Sequence, residues 1–229
     1  MNDVLKEIKI NPYRLKKDDL IKFFVGRCEH RHVYNEHPSC FVKDRKINLK
    51  TGYLDIETNG LYPYFSVIGS YAIKEEGSNK IYGRYITPKE LHSDTFDKEI
   101  IKDCTKDILR FDRIITYYGT FFDIPYLRTA SLEHKIDEFP SYGIVKHIDV
   151  YFMVKNKLRL HRKSLQEVAR VLGIEGKTHV DGHLWKKAFL HCDEKCFKQI
   201  FEHNKADVIV LEKVFHRLEN YSAEVRKSI

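Results

Sequence analysis

At 229 residues, 42% of them hydrophobic and 32% charged, the chain has material for one sizeable core but not for two full domains. A formal net charge of +7 suits a polyanion partner without identifying it. Five cysteines, odd in number and irregularly spaced, argue against a secreted disulfide scaffold and for a reducing compartment. No apolar run reaches membrane-span length, and Asp3 and Glu7 do not fit a signal peptide, so a cytoplasmic location and no membrane partner are expected.

Residues 1–50 form a basic, His- and Cys-containing extension with little apolar periodicity beyond a helical stretch from Asp18 to Val25. Within it, Cys28, His30, His32, His37 and Cys40 place five soft or borderline ligands in thirteen residues. A structural Zn²⁺ taking four of them is one reading, although no C-x₂-C pair is present; a His-rich loop packed on the neighbouring domain is the other. Residues 51–229 read as one domain. Tyr53 to Glu57 alternates like a strand and stops at the Asn59-Gly60 turn signal. Phe65 to Ile73 and Lys80 to Ile86 read as two further strands, which predicts an antiparallel meander.

Thr87-Pro-Lys-Glu90 is a capping box with Pro at the first helical position, and Phe96, Ile100, Cys104 and Ile108 recur as one apolar helix face. Arg113 to Thr116 is a short strand, Ile124 to His134 a helix, and Lys146 to Val150 a fifth strand. Ser164 and Glu167 open another helix that Gly173 stops, and Phe197 to Leu218 marks a long C-terminal helix. The order predicts an α/β fold: a mixed five-stranded sheet, meander plus parallel strands, flanked by helices.

Four acids sit beside apolar residues, where a carboxylate is costly unless its charge is compensated. Asp55 and Glu57, two apart on a strand, point to one face and repel unless a cation lies between them; two solvated acids on an edge strand is the bland alternative. Asp123 follows the Arg113–Thr116 strand and, taken alone, reads as a helix cap. Asp207 lies inside a helix, where Asp is a poor choice, with His203 one turn earlier on the same side; a salt bridge is the competing explanation. Together they make a cage suited to two hard divalent cations, Mg²⁺ or Mn²⁺, of the kind that hydrolyses phosphodiesters.

The ordered set Asp55-Ile-Glu-Thr-Asn-Gly-Leu61, Gly119-Thr-Phe-Phe-Asp-Ile-Pro-Tyr-Leu127, His147-Ile-Asp149, Ser164-Leu-Gln-Glu-Val168 and His203-Asn-Lys-Ala-Asp-Val208 resembles the DnaQ-like (DEDD) 3′–5′ exonucleases of the ribonuclease H fold, and most closely their YprB-like branch. The resemblance runs from about Gly52 to Leu218. It implies that Asp55, Glu57, Asp123 and Asp207 hold two metal ions and that His203 orients or deprotonates the attacking water. Two departures stand out: His203 lies four residues before Asp207, where one subgroup carries Tyr, and Tyr118 stands where Asn is common. The resemblance also places Thr58 and Leu61 at the terminal nucleotide.

Residues 155–163 hold five Lys or Arg and no acid, which beside a carboxylate site suggests phosphate contact by Lys155, Lys157 and Arg159. Of Phe121 and Phe122 one is expected in the core, with the other free to stack on a base; Phe122, next to Asp123, is the candidate. Asp149 reads as a strand-end cap in preference to an outer partner of the carboxylate site, and Gly176-Lys-Thr178 lacks the upstream glycine of a phosphate loop. The expected partner is the 3′ end of single-stranded DNA or RNA. The alternatives are an inactive nucleic-acid-binding or docking module of the same fold, and an endonuclease.

Overall fold

In the computed structural model, the structure describes residues 17–28, 31–36, 40–41, 49–141, 144–176, 181–221 and 227–228. One six-stranded sheet organises them. β1 (Thr51–Thr58), β2 (Ile68–Glu75) and β3 (Ile81–Tyr85) form the antiparallel meander, while β4 (Arg113–Thr116) and β5 (Lys146–Asp149) add in parallel on the other side of β1. This is the expected mixed five-stranded sheet, extended at its edge by a two-residue antiparallel β6 (Lys227–Ser228).

Alternation along the strands sends neighbouring residues to opposite faces. Leu54, Ile56, Ile73 and Ile114 enter one core with α3 (Lys98–Ile108), α4 (Asp123–Glu133) and α7 (Gly182–His191). Tyr53, Ala72 and Ile115 enter the other with α5 (Val150–Lys157), α6 (Leu165–Val171) and α8 (Glu194–Leu218). Asp55 and Glu57 therefore share the face of Tyr53, toward α8.

α8 lies across β1 and β2. Asp193 caps its start by accepting from the N–H groups of Lys195 and Cys196 at 2.9 and 3.3 Å. Further along, Glu212 meets Lys74 of β2 at 2.6 Å in a largely buried ion pair. Removing either charge would leave the other stranded away from water.

Before the sheet lies α1 (Lys17–Val25), the helical stretch read from Asp18. Its Phe23 is fully buried against Phe41, ring centroids 5.1 Å apart, and Tyr34 packs on Phe41 at 5.2 Å. A bridge between Arg27 and Val33 closes a hairpin that brings Cys28 Sγ to 3.9 Å from His32 Nδ1. Cys40 is buried beside Phe41; His30 and His37 lie outside the described residues, as does most of the extension's basic sequence.

Phe65, read as part of a strand, and Phe96, read as part of a helix, lie outside those elements. Phe65 does not open a strand: it ends a 3₁₀ turn, Pro63–Phe65, and is 83% exposed, because Asn59 pins the loop to Val67 through its backbone and side chain and β2 starts only at Ile68. Phe96 does not belong to the helix face of Ile100. The capping box at Thr87 starts only a one-turn helix, α2 (Pro88–Leu91), and Phe96 has a left-handed φ of 44°. The adjacent Asp97 carboxylate accepts from Ile68 N–H and pairs with His134, both at 2.8 Å, so the chain is pulled to the sheet before α3 begins.

The turn between β4 and α4 has almost no slack. A Cβ on Gly119 would stand 2.3 Å from Thr116 Oγ1 and 2.5 Å from its Cβ. Gly119→Ala is expected to cost about 1–3 kcal/mol through this overpacking, read as a lower chemical-denaturation midpoint; an unchanged midpoint would show that the turn relaxes freely.

Candidate active site

The site forms where β1 outruns its neighbour. β1 pairs with β4 only from Thr51 to Tyr53, leaving Asp55 to Thr58 without a strand on that side. β4 ends at Thr116, the chain turns through Tyr118 and Gly119, and α4 begins beside the free edge. Its first residue, Asp123, accepts the backbone N–H of Ile56 at 3.1 Å and is buried. Asp149 braces this turn from the end of β5, accepting from the N–H groups of Tyr118 at 2.8 Å and Thr120 at 2.9 Å. Asp149 also caps α5 through Tyr151 N–H, the structural role its sequence position suggested. The bracing matters because Tyr118 has φ 67°, a conformation costing an aromatic residue about 1–3 kcal/mol.

Across the cleft, α8 presents three side chains to β1. His203 Nε2 stands 3.8 Å from Glu57 Oε1 and 3.8 Å from Asp207 Oδ2. One ligand atom from each of Glu57, His203 and Asp207 lies within 4.8 Å of the others. Asn204 Nδ2 donates to Asp55 Oδ2 at 2.6 Å. Hence Glu57, His203 and Asp207 form the tight cluster, Asp55 joins α8 through Asn204, and Asp123 reaches β1 from the opposite side through the strand's own backbone. Carboxylate oxygens with one imidazole fit a hard or borderline divalent cation such as Mg²⁺ or Mn²⁺.

Burial raises the Asp123 pKa to about 7; the Ile56 N–H bond opposes the shift and the Asp149 charge adds to it. A carboxylate held in this way without a counter-cation carries a proton at mildly acidic pH.

The remaining sequence candidates differ in burial and in what they touch. Thr58 spends its hydroxyl on Gly60 O at 2.6 Å, shaping the turn, while Leu61 beyond it is 72% exposed. Lys155, Lys157 and Arg159 are exposed at and just after the end of α5. Phe122 packs against the α4-side core, its ring 5.7 Å from Tyr126, whereas Phe121 is 57% exposed. This reverses the assignment within the pair. The residue next to Asp123 is fixed by the start of α4, so Phe121 is the ring offered to solvent.

Sequence reading missed Asn204 and the wall supplied by α7. A cavity of about 350 Å³ adjoins Glu57 and Thr58 and is lined by Asn59, Trp185, Lys186 and Phe189. Trp185 and Phe189 stack with rings nearly parallel, 5.7 Å apart. Asn204 carried a signal, being a polar residue between the paired His203 and Asp207 on one helix. The α7 wall carried none, because its aromatics at i and i+4 read equally well as core.

Residues 52–219 match the RNase_H superfamily. A DNA polymerase of Methanocaldococcus jannaschii is 31% identical over 118 residues, covering 41% of this chain and 7% of the polymerase. The family B DNA polymerase from the hyperthermophilic archaeon Pyrobaculum calidifontis superposes with a TM-score of 0.60 at 17% identity, covering 76% of this chain and 25% of that one. The chain thus corresponds to a small part of either polymerase's length, and the structural likeness concerns the fold.

The raised Asp123 value fixes a pH dependence. An unfolded Asp titrates near pH ~3.9, so the metal-free folded protein holds an extra proton between about pH 4 and 7. The Asp123 contribution is fully favourable below that window and is lost as pH rises through 7. Asp123→Asn is therefore expected to stabilise the metal-free protein at pH 8 and change little at pH 4, measured by thermal melts at both values. A variant no more stable than the parent at pH 8 would contradict the burial argument.

Proposed function

The chain belongs to the RNase_H superfamily, and from that membership and the acid cluster we propose that it is a metal-dependent nuclease, specifically a 3′–5′ exonuclease of DNA or RNA with a DEDD set of acids. The observation that carries this reading is the meeting of Glu57, His203 and Asp207, with Asp55 tied to the same helix and Asp123 to the same strand. Nucleases of this fold use divalent metals, and the resemblance assigns Asp55, Glu57, Asp123 and Asp207 to hold two of them. Bound there, the cations would supply positive charge to the phosphodiester and lower the pKa of water.

The protein's own groups do the rest. Glu57 and Asp207 come from different elements, so their spacing is set by how α8 packs on β1. Asn204, fully buried, donates to Asp55 and fixes its carboxylate plane. His203 is held one helical turn from Asp207, close enough to both acids to take a proton from a water between them. The position four before Asp207 thus suits an imidazole here. Leu61, exposed past the end of β1, and the basic residues Lys155, Lys157 and Arg159 supply apolar and phosphate contacts for a strand end.

Single strands labelled at the 5′ end and incubated with Mn²⁺ should shorten progressively from the 3′ end. Asp55→Ala and Asp207→Ala should abolish the ladder, and His203→Ala should slow it by roughly 10²–10⁴-fold. Equal cleavage by all four proteins would refute the assignment, and cutting of closed circles would make the enzyme an endonuclease. Independently of turnover, Mn²⁺ at about 100 times its dissociation constant should stabilise the protein by roughly 2.7 kcal/mol, an effect that Asp207→Ala should remove from the melting curve.

A further inference from the structure

Cys192 stands between the end of α7 and the Asp193 cap of α8, in a left-handed conformation with φ 49° and ψ 40°. Gly or Asn occupies such a helix end at lower cost. The side chain lies outside both cores: all five cysteines are free thiols, four of them buried, whereas Cys192 is partly open to solvent. A thiol therefore sits at this joint without a packing reason.

What faces it is a base. His92, at the end of α2, has its Nδ1 2.7 Å from Pro88 O. A carbonyl only accepts, so Nδ1 carries the ring proton and Nε2 of the neutral imidazole keeps its lone pair. That Nε2 stands 3.9 Å from Cys192 Sγ. An imidazole with a fixed acceptor nitrogen can take the thiol proton as the sulfur attacks, the arrangement that makes a cysteine nucleophilic. Cys28 also meets an imidazole, that of His32, but is buried, so Cys192 is the better placed for a reagent in water.

The joint also touches the cleft. Phe189 and Leu190, just before Cys192, line the cavity beside Glu57 together with Trp185. Phe189 packs edge-on against Phe197 of α8, ring centroids 4.9 Å apart. On its β2 side α7 has little room, since a Cβ on Gly69 would sit 3.2 Å from Phe189 and 3.3 Å from Trp185. Bulk added at Cys192 is therefore felt along the α7 wall instead of being absorbed by a gap.

We propose that Cys192 is a modification site for small disulfides of the glutathione type, with His92 as its base, and that the adduct moves the α7 wall beside Glu57. The Cys192 proton passes to His92 Nε2, the sulfur bonds to one sulfur of the reagent, and the reagent's S–S bond breaks. The departing thiolate takes the proton back from the imidazolium, so one protein thiol and one disulfide give one mixed disulfide and one free thiol. The consequence for the cleft rests on the nuclease reading; the modification itself does not.

Peptide mapping of protein treated with glutathione disulfide should find the adduct at Cys192 ahead of the other four cysteines. Cys192→Ser should remove it. His92→Ala should slow its formation by about 10-fold or more in the folded protein and leave the urea-unfolded chain unaffected. Trp185 is the only tryptophan, so its fluorescence reads the α7 wall: the adduct should shift the emission of the parent and not of Cys192→Ser. With Mn²⁺ and labelled strands, the same treatment should change the cleavage rate of the parent alone. An adduct spread evenly over the cysteines, a parental rate in His92→Ala, or an emission spectrum indifferent to the adduct would overturn the proposal. Selective modification with an emission shift, in a parent that leaves strands intact before treatment, would remove the nuclease reading and keep this one.

Discussion

The hydrogen bond from Ile56 N–H to the Asp123 carboxylate is the contact on which the site depends. Where β1 loses its neighbour, the backbone must still find acceptors, and a buried N–H left alone would cost about 1–3 kcal/mol. Asp123 meets that need with a carboxyl whose charged form is disfavoured by burial. A structural requirement of the strand and the charge requirement of a cation site thus fall on one side chain. Its second requirement, that the turn before it be held, is met by Asp149, whose two oxygens accept from that turn.

The opposite wall is built on a different principle. His203, Asn204 and Asp207 are consecutive positions on the inner surface of one helix, so their mutual spacing comes from helical geometry. Their placement relative to Asp55 and Glu57 comes from the packing of α8 on β1 and β2, pinned by the Lys74–Glu212 pair. The sheet's twofold alternation then decides everything else. Leu54 and Ile56 anchor β1 in one core while Asp55 and Glu57 emerge between them on the other face.

Much of this was legible in the residues alone. Period-two alternation located β1, the capping signals at Thr87 and Ser164 located helix starts, and the order of the acids located the site. What escaped was long-range. A periodicity of four carried the α3 helix back to Phe96, although Asp97 is committed to Ile68 and His134 and breaks the run. Adjacent rings at positions 121 and 122 could not be told apart by composition; only the start of α4 decides which one is packed. Trp185 and Phe189 became neighbours of Glu57 through chain folding that no local pattern records. The role of Asn204 needed a partner 149 residues away.

The 25-residue length of α8 has an evolutionary consequence. Each residue advances the helix by about 100°, so a single insertion or deletion between Asp207 and the Glu212 anchor would swing His203, Asn204 and Asp207 out of phase with β1 together. The segment can drift in side-chain identity on its outer surface but not in length. Indels among relatives that keep this site should accumulate in the loops around α7 and stay out of this half of α8.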